Sequence, residues 1–186
     1  DSARVDSLLG TDAPLLVLAP TATWSGKLWP ADRFARLARI LTGPDGVLPG
    51  AQAIVLGGPG EREHARAAPL LAALPEAIDL VGAVTLTEAT ALCARAALFV
   101  GNDSGLMHIA AASGAPTLGL FGPTRASEYA PVGPRATTVL ARGRPGRAPM
   151  GALSVAKVLD AAVTLLARPA SPPVAEAAVP GTADAK

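Results

Sequence analysis

The segment LFVGNDSGLMH, residues 98–108, joins an apolar run to a glycine-bounded turn and then to a helical pattern. Leu98-Phe99-Val100 is typical of a buried strand, and a helix is predicted over residues 104–113. A strand that ends in such a turn, directly before a helix, is the repeating unit of parallel α/β sheets. The segment therefore predicts a strand–turn–helix unit at the centre of the fold.

The same alternation repeats along the chain, and the apolar runs are continuous rather than alternating, which is typical of strands covered on both faces. The predicted strands are residues 15–19, 53–56, 78–81, 98–100, 117–121 and a short sixth at 137–140. The predicted helices are residues 30–41, 61 to just before Pro75, 88–95 with Thr87 as N-cap, 104–113 and 154–167. The fold class is therefore α/β, a Rossmann-like doubly wound parallel sheet.

The length and composition exclude several classes of protein. The 186 residues suffice for one domain with a full core, and the net charge of +1 comes without a Lys/Arg run, which argues against a nucleic-acid partner. The single cysteine, Cys93, excludes a disulfide framework and a multi-cysteine zinc site, and we expect it to be a buried core thiol.

The chain carries no sign of a membrane span or of a secretory leader. Its apolar runs are shorter than the roughly 20 residues that cross a bilayer, and residues 1–4 do not resemble a signal peptide. A cytoplasmic location is the expectation. Residues 169–186 are rich in Pro and Ala and are predicted to form a disordered tail beyond a domain at 1–168.

The turn at 101–105 has the features of an anion site. Gly101 and Gly105 would let backbone approach a ligand, and the N–H groups that open the helix, together with Ser104, would bind a phosphate. His108 lies one helical turn further on. Asp103 would face sugar hydroxyls or cap the helix, since it would repel a phosphate. The alternative is that Asp103 or Ser104 merely caps the helix and His108 packs in the core.

Two further residues are candidates for the same site. Lys27 follows Thr21, Thr23 and Ser25 in the loop after the first strand, where it would be a point charge for a diphosphate, or else a solvated surface lysine. Glu61 opens the helix after the second strand, where it would accept from ribose hydroxyls or interact with the helix N-terminus.

The two tryptophans of the first loop, and the catalytic motifs that the sequence does not contain, complete the interpretation. Trp29 is expected to be a packing anchor, and Trp24 an anchor or a ligand wall. The sequence has no GxGxxG after the first strand, no P-loop, no HExxH and no GxSxG, so NAD chemistry, NTP hydrolysis and hydrolase triads lose support.

Four motifs in order resemble glycosyltransferase family 9, the lipopolysaccharide heptosyltransferases. They are KLWP at residues 27–30 with FARLA at 34–38, LGGPGERE at 56–63, GNDSGLMHIAAA at 101–112 and LFGPT at 120–124. The likeness covers roughly residues 12–167. It implies one half of a GT-B fold, with this chain as the C-terminal, donor-binding domain.

The resemblance also implies an activity and roles for residues. Such enzymes transfer heptose from ADP-heptose to the inner core of lipopolysaccharide, with inversion, without a cofactor and usually without a metal. Thr23 and Lys27 would contact the donor phosphates, with Lys27 stabilising the leaving diphosphate, and Glu61 would contact the ribose. The heptose and the diphosphate would be held by Asp103, Ser104, Gly105 and His108.

The chain departs from the family pattern in three respects. Ala22 stands where a second hydroxyl residue is common, and the usual cysteine before the last helix is missing around residues 148–150. The third departure is that nothing precedes Asp1, although an N-terminal domain supplies the acceptor site and the general base in this family. If residues 1–186 are the whole molecule, we expect it to bind donor but to transfer sugar poorly or not at all.

The partners expected from the resemblance are a nucleotide-sugar donor and, through the N-terminal domain, a lipopolysaccharide or other glycolipid acceptor. Peripheral association with the cytoplasmic face of the inner membrane would follow. Two alternatives stay open: a different nucleotide-hexose donor used for surface polysaccharide, and a non-catalytic nucleotide-sugar-binding module.

Overall fold

In the computed structural model, which describes residues 2–169, six parallel strands form one sheet in the order β3-β2-β1-β4-β5-β6. The strands are β1 (Leu15–Ala19), β2 (Gln52–Gly57), β3 (Ile78–Val81), β4 (Ala96–Asn102), β5 (Thr117–Phe121) and β6 (Ala136–Leu140). The predicted doubly wound sheet is confirmed. Strand order reverses between β1 and β4, and the carboxyl ends of these two strands open a crevice there.

Helices cover both faces of the sheet. They are α1 (Ser2–Leu9), α2 (Ala31–Thr42), α3 (Glu61–Ala73), α4 (Leu86–Ala94), α5 (Gly105–Ala112), α6 (Ala126–Tyr129) and α7 (Val155–Leu166). The five predicted helices are confirmed, but α1 and α6 were not predicted. Both are short, and α1 buries only Val5 and Leu9, too few residues to give a periodic signal. The predicted tail, apart from Pro169, lies outside the described residues.

Two hydrophobic clusters explain why the strands are apolar throughout. Leu16 and Leu18 of β1 pack toward α2, α3 and α7, whereas Leu15 and Val17 pack toward α1, α4 and α5. Cys93 belongs to the second cluster, where burial raises the pKa of its thiol to about 12. The predicted buried core thiol is confirmed. Within residues 2–169 no helix is long and apolar enough to cross a bilayer.

The N-terminus of α4 differs from the prediction. Thr85, not Thr87, is the N-cap, and its side chain accepts from the Glu88 N–H while a Glu88 carboxylate oxygen accepts from the Thr85 N–H at 2.7 Å. The sequence Thr85-Leu86-Thr87-Glu88 satisfies the capping-box spacing only when Thr85 is the cap, because the acidic partner belongs three residues later. Arg4 of α1 donates to the other Glu88 oxygen at 2.9 Å, which fixes α1 to α4.

We expect Glu88→Gln to remove stability at neutral pH but little at acid pH. The Thr85 N–H lowers the pKa of Glu88 against the opposing effect of burial, and the Thr85 hydroxyl and Arg4 lower it further. A carboxyl whose pKa is lowered on folding stabilises the fold above its unfolded pKa, and that stability is lost as pH falls through the folded pKa. Urea unfolding at pH 7 and at successively lower pH measures the difference; a loss that does not shrink as the pH falls, or the same loss in exposed Glu76→Gln, contradicts it.

Candidate active site

The last residue of β4 fixes the loop that follows β1. Asn102 is fully buried; its Nδ2 donates to the Pro20 carbonyl at 2.7 Å, and its Oδ1 accepts from the Trp29 N–H at 3.1 Å. One amide therefore holds both ends of residues 20–29 against β4. The prediction did not assign Asn102 this role, although an Asn that closes a strand beside a glycine turn is a signal for it.

The two tryptophans of that loop have different environments. Trp29 is 2% exposed, donates from Nε1 to the Leu153 carbonyl at 2.9 Å and packs edge-on against Phe34 with ring centroids 4.9 Å apart. The predicted packing anchor is confirmed. Trp24 is 47% exposed and covers Gly26, where a Cβ would fall inside the indole ring. Trp24 is therefore not a buried anchor.

Lys27 and Asp103 meet in the crevice between β1 and β4. Lys27 Nζ lies 2.7 Å from Asp103 Oδ2, and both side chains are largely buried. The two atoms are close enough for a hydrogen bond, but its angular requirements are not met, so the contact is an ion pair. Lys27 Nζ also lies 5.9 Å from the ring centroid of Tyr129. The alternative of a solvated surface lysine is wrong, because the Lys27 side chain is only 16% exposed and its ammonium group pairs with Asp103.

A cavity of about 290 Å³ lies between this loop and the start of α5. Thr23, Ser104 and Gly105 line it together. Ser104 is the N-cap residue, but its side chain makes no capping hydrogen bond, and its buried Oγ has no partner among residues 2–169. Neither the Ser104 nor the Asp103 side chain accepts a hydrogen bond from the first N–H groups of α5, so the interpretation of either side chain as a helix cap is wrong. The first N–H groups of α5 are available for an anion.

The residues that line this cavity do not include Lys27 and Asp103, which form the ion pair, nor Glu61 and His108. The last two are exposed, and His108 is therefore not the core residue of the alternative interpretation. The cavity is lined instead by Glu63, whose Oε2 accepts from the Gly58 N–H at 3.2 Å. No role was predicted for Glu63. Glu61 and Glu63 lie in the same turn of α3, and the sequence does not show which of the two side chains points into the cavity.

Comparison with known proteins identifies the family. The sequence profile of glycosyltransferase family 9 (heptosyltransferase) matches residues 1–154. This chain belongs to glycosyltransferase family 9. It is 34% identical over 139 residues to lipooligosaccharide heptosyltransferase 2 of Haemophilus influenzae, and 31% over 140 residues to lipopolysaccharide heptosyltransferase 2 of Salmonella typhimurium. Each match covers 72% of this chain but only 38% of the relative.

Solved heptosyltransferase structures share the fold. Escherichia coli ADP-heptose LPS heptosyltransferase II aligns with a TM-score of 0.74 at 24% identity, over 89% of this chain and 50% of that one. E. coli heptosyltransferase WaaC with ADP aligns with a TM-score of 0.70 at 23% identity, over 88% and 49%. This family 9 chain thus has the fold of one half of those chains, as predicted for half of a GT-B enzyme.

The departures from the family pattern have structural correlates. Ala22, in place of a second hydroxyl residue, is 4% exposed and lines the cavity with a methyl group. At the position of the usual cysteine, Ala148 and Met150 are buried against Gly122, where an added Cβ would lie 2.7 Å from the Ala148 carbonyl oxygen.

The two glycines of the turn have different roles. A Cβ at Gly101 would lie 2.7 Å from the Phe99 ring and 3.0 Å from Ala19 Cβ, whereas a Cβ at Gly105 would meet nothing within 4 Å. Gly101 is therefore needed for packing of β4, and the expectation that it lets a ligand approach is not supported. Gly105 is open and lines the cavity, consistent with close approach by a ligand.

This difference predicts opposite outcomes for two alanine variants. Gly101→Ala is expected to lose about 1–3 kcal/mol of stability through overpacking. Gly105→Ala is expected to keep or gain stability, because alanine favours the helix by about 0.5–1 kcal/mol, but to weaken ADP binding. Thermal unfolding and calorimetry separate the two; equal losses of stability would contradict the assignment.

Proposed function

We propose that this chain is the donor-binding half of an inverting heptosyltransferase that uses ADP-heptose. The observation that carries the proposal is the convergence of Lys27 with the uncapped N-terminus of α5 at the β1/β4 crevice. A cation and free N–H groups at a strand-order switch are suited to a nucleotide diphosphate. The names of the relatives, lipooligosaccharide and lipopolysaccharide heptosyltransferase 2, favour heptose as the sugar.

The chemistry requires stabilisation of a leaving diphosphate. An acceptor hydroxyl attacks the anomeric carbon, the bond from that carbon to the diphosphate oxygen breaks, and negative charge builds on the departing ADP. Lys27 and the N–H groups of Gly105 and Leu106 would stabilise that charge. This proposal needs neither a metal nor a cofactor, because the lysine and the helix N-terminus supply the electrostatic role.

Donor binding would replace the Lys27–Asp103 ion pair by a contact between Lys27 and a phosphate. A diphosphate would compete with Asp103 for the ammonium group, since each phosphate oxygen is as strong a partner as the carboxylate. Asp103 would then be free to accept from sugar hydroxyls, its predicted role. Thr23 would bind phosphate, Ser104 and His108 would bind the sugar or the diphosphate, and Glu61 or the inward-facing Glu63 would accept from the ribose.

The remaining parts of the reaction are proposed from the relatives. The matched segment is 38% of their length, which leaves room for an acceptor domain that supplies the general base for the attacking hydroxyl. In such an enzyme the acceptor is a lipopolysaccharide precursor, and the protein acts in the cytoplasm at the inner face of the inner membrane. Transfer would require both domains.

Calorimetry with ADP-heptose, ADP, UDP-glucose and GDP-mannose tests the proposal. We expect both ADP compounds to bind and ADP-heptose to bind more tightly than ADP. Binding of UDP-glucose without either ADP compound would overturn the choice of donor and favour a different hexosyltransferase. Co-expression with a candidate acceptor domain, followed by a transfer assay, distinguishes the enzyme from a non-catalytic binding module.

A further inference from the structure

Arg66 of α3 contacts the loop that follows β1. Its Nη1 donates to the Ala22 carbonyl, 44 residues earlier in the chain. Glu63, three residues before Arg66 and therefore on the same face of α3, lines the cavity beside this loop. Arg66 is partly buried and forms no ion pair with any other of residues 2–169. Its guanidinium is thus bound to the loop rather than to an acidic side chain.

The middle of the loop, residues 21–28, has few other attachments to the rest of the molecule. The amide of Asn102 holds only the two ends. Between them, the bond from Arg66 is the only hydrogen bond from outside the loop in the described part of the chain, and the contact of Lys27 with Asp103 is an ion pair. The position of the first half of the loop therefore depends on Arg66.

The carbonyl that accepts this hydrogen bond belongs to a residue at which the chain departs from the family pattern. Ala22 stands where a second hydroxyl residue is common, and its methyl side chain can make no hydrogen bond. The next residue, Thr23, lines the donor cavity. The backbone of Ala22 is therefore the group through which α3 can fix the position of Thr23.

We propose that Arg66 is a positioning residue for the binding of the donor phosphates. By holding the Ala22 carbonyl, its guanidinium keeps Thr23 at the cavity before the donor arrives, so that binding has to order less of the loop. The effect on phosphate binding rests on the proposed function, whereas the attachment of the loop by Arg66 does not.

Calorimetry with ADP and adenosine tests the effect on binding. Arg66→Met keeps the length of the side chain but has no donor, and it should weaken ADP about fivefold, the factor expected for one hydrogen bond. Adenosine should lose little affinity, because it has no phosphate for Thr23 to contact. Arg62→Met, which removes an exposed arginine one turn earlier on α3, should bind ADP like the wild type. Equal losses for ADP and adenosine in Arg66→Met would overturn the positioning role.

A double variant tests whether Arg66 acts through Thr23. Thr23→Val removes the hydroxyl and keeps the shape of the side chain. If Arg66 serves to position that hydroxyl, adding Arg66→Met to Thr23→Val should weaken ADP by less than about twofold, because the two losses share one cause. The full fivefold loss in both backgrounds would show that the arginine acts by its charge alone, and it would overturn the proposal.

Tryptic cleavage after Lys27 examines the loop without any ligand. Lys27 is the only lysine or arginine in residues 20–29, so the fragment masses identify this cut. Because cleavage follows the population of the locally opened form, its rate should rise about fivefold in Arg66→Met. Cleavage after Arg39, within α2, should not change, and neither rate should change in Arg62→Met.

The cleavage rates separate failure of this inference from failure of the proposed function. An unchanged rate after Lys27 in Arg66→Met would overturn the attachment of the loop, whatever ADP does. An equal rise after Lys27 and Arg39 would show a general loss of stability and would overturn it as well. Failure of the wild type to bind ADP, with cleavage after Lys27 still faster in Arg66→Met, would instead overturn the donor site and leave Arg66 as an attachment of the loop alone.

Discussion

Lys27→Ala should weaken ADP binding by roughly 10- to 100-fold, as expected for loss of a charged hydrogen-bonding partner worth about 1.5–3 kcal/mol. Adenosine, which has no phosphate, should lose little affinity. The reason is that Lys27 Nζ lies beside Asp103 at the start of α5, so its removal leaves a carboxylate without its countercharge at the proposed diphosphate site. Calorimetry with ADP and adenosine on both proteins gives the comparison.

Two further variants make this result interpretable. Lys157→Ala removes an exposed lysine that donates to the Leu140 carbonyl, and it should leave ADP affinity unchanged. Asp103→Asn keeps Lys27 and removes its negative partner, so ADP should bind at least as tightly while the preference for ADP-heptose over ADP declines. Equal losses for ADP and adenosine in Lys27→Ala would show that the lysine is structural.

Trp29→Ala should have the largest effect on stability, a loss of about 3–5 kcal/mol, as is typical of buried aromatic residues replaced by alanine. At 2–4 °C per kcal/mol for a domain of this size, Tm should fall by roughly 10 °C. The indole is buried between Phe34 and the segment before α7, and its Nε1 donates to Leu153. Thermal unfolding followed by circular dichroism measures the change.

The other tryptophan is the matched control. Trp24→Ala should cost about 1 kcal/mol or less, because its ring is 47% exposed and only part of its contact area is lost. Trp29→Phe should be intermediate, since it keeps an aromatic ring but loses the hydrogen bond to Leu153. If the two alanine variants had similar Tm values, the loop would not depend on Trp29 for its position.

The fold was predictable because β1, β2, β4 and β5 are buried without an alternating pattern and each is followed by a turn that contains glycine or proline. The continuous run at Leu15–Ala19 identified a strand buried on both faces, and the structure places alternate residues in the two core clusters. Helix α1 was not predicted because its contact through Arg4 with Glu88 connects residues far apart in the chain. Helix α6 was not predicted because its four residues are too few to give a periodic pattern.

The site was predictable in position but not in detail. That Lys27 and Asp103 would lie close together followed from the adjacency of β1 and β4, but their ion pair depends on two side-chain conformations that spacing does not specify. The choice between Glu61 and Glu63 likewise depends on which way each side chain turns.

Asn102 matters for any attempt to move the loop at residues 20–29 from one protein of this fold to another. Because its amide binds the Pro20 carbonyl and the Trp29 N–H, the loop is attached at two backbone points that any replacement loop can offer. The residues between those points, including Thr23 and Ser25, can then be exchanged together while both ends of the loop stay attached. In a protein whose sheet lacks this asparagine, the ends of the same loop would not be hydrogen-bonded to the neighbouring strand.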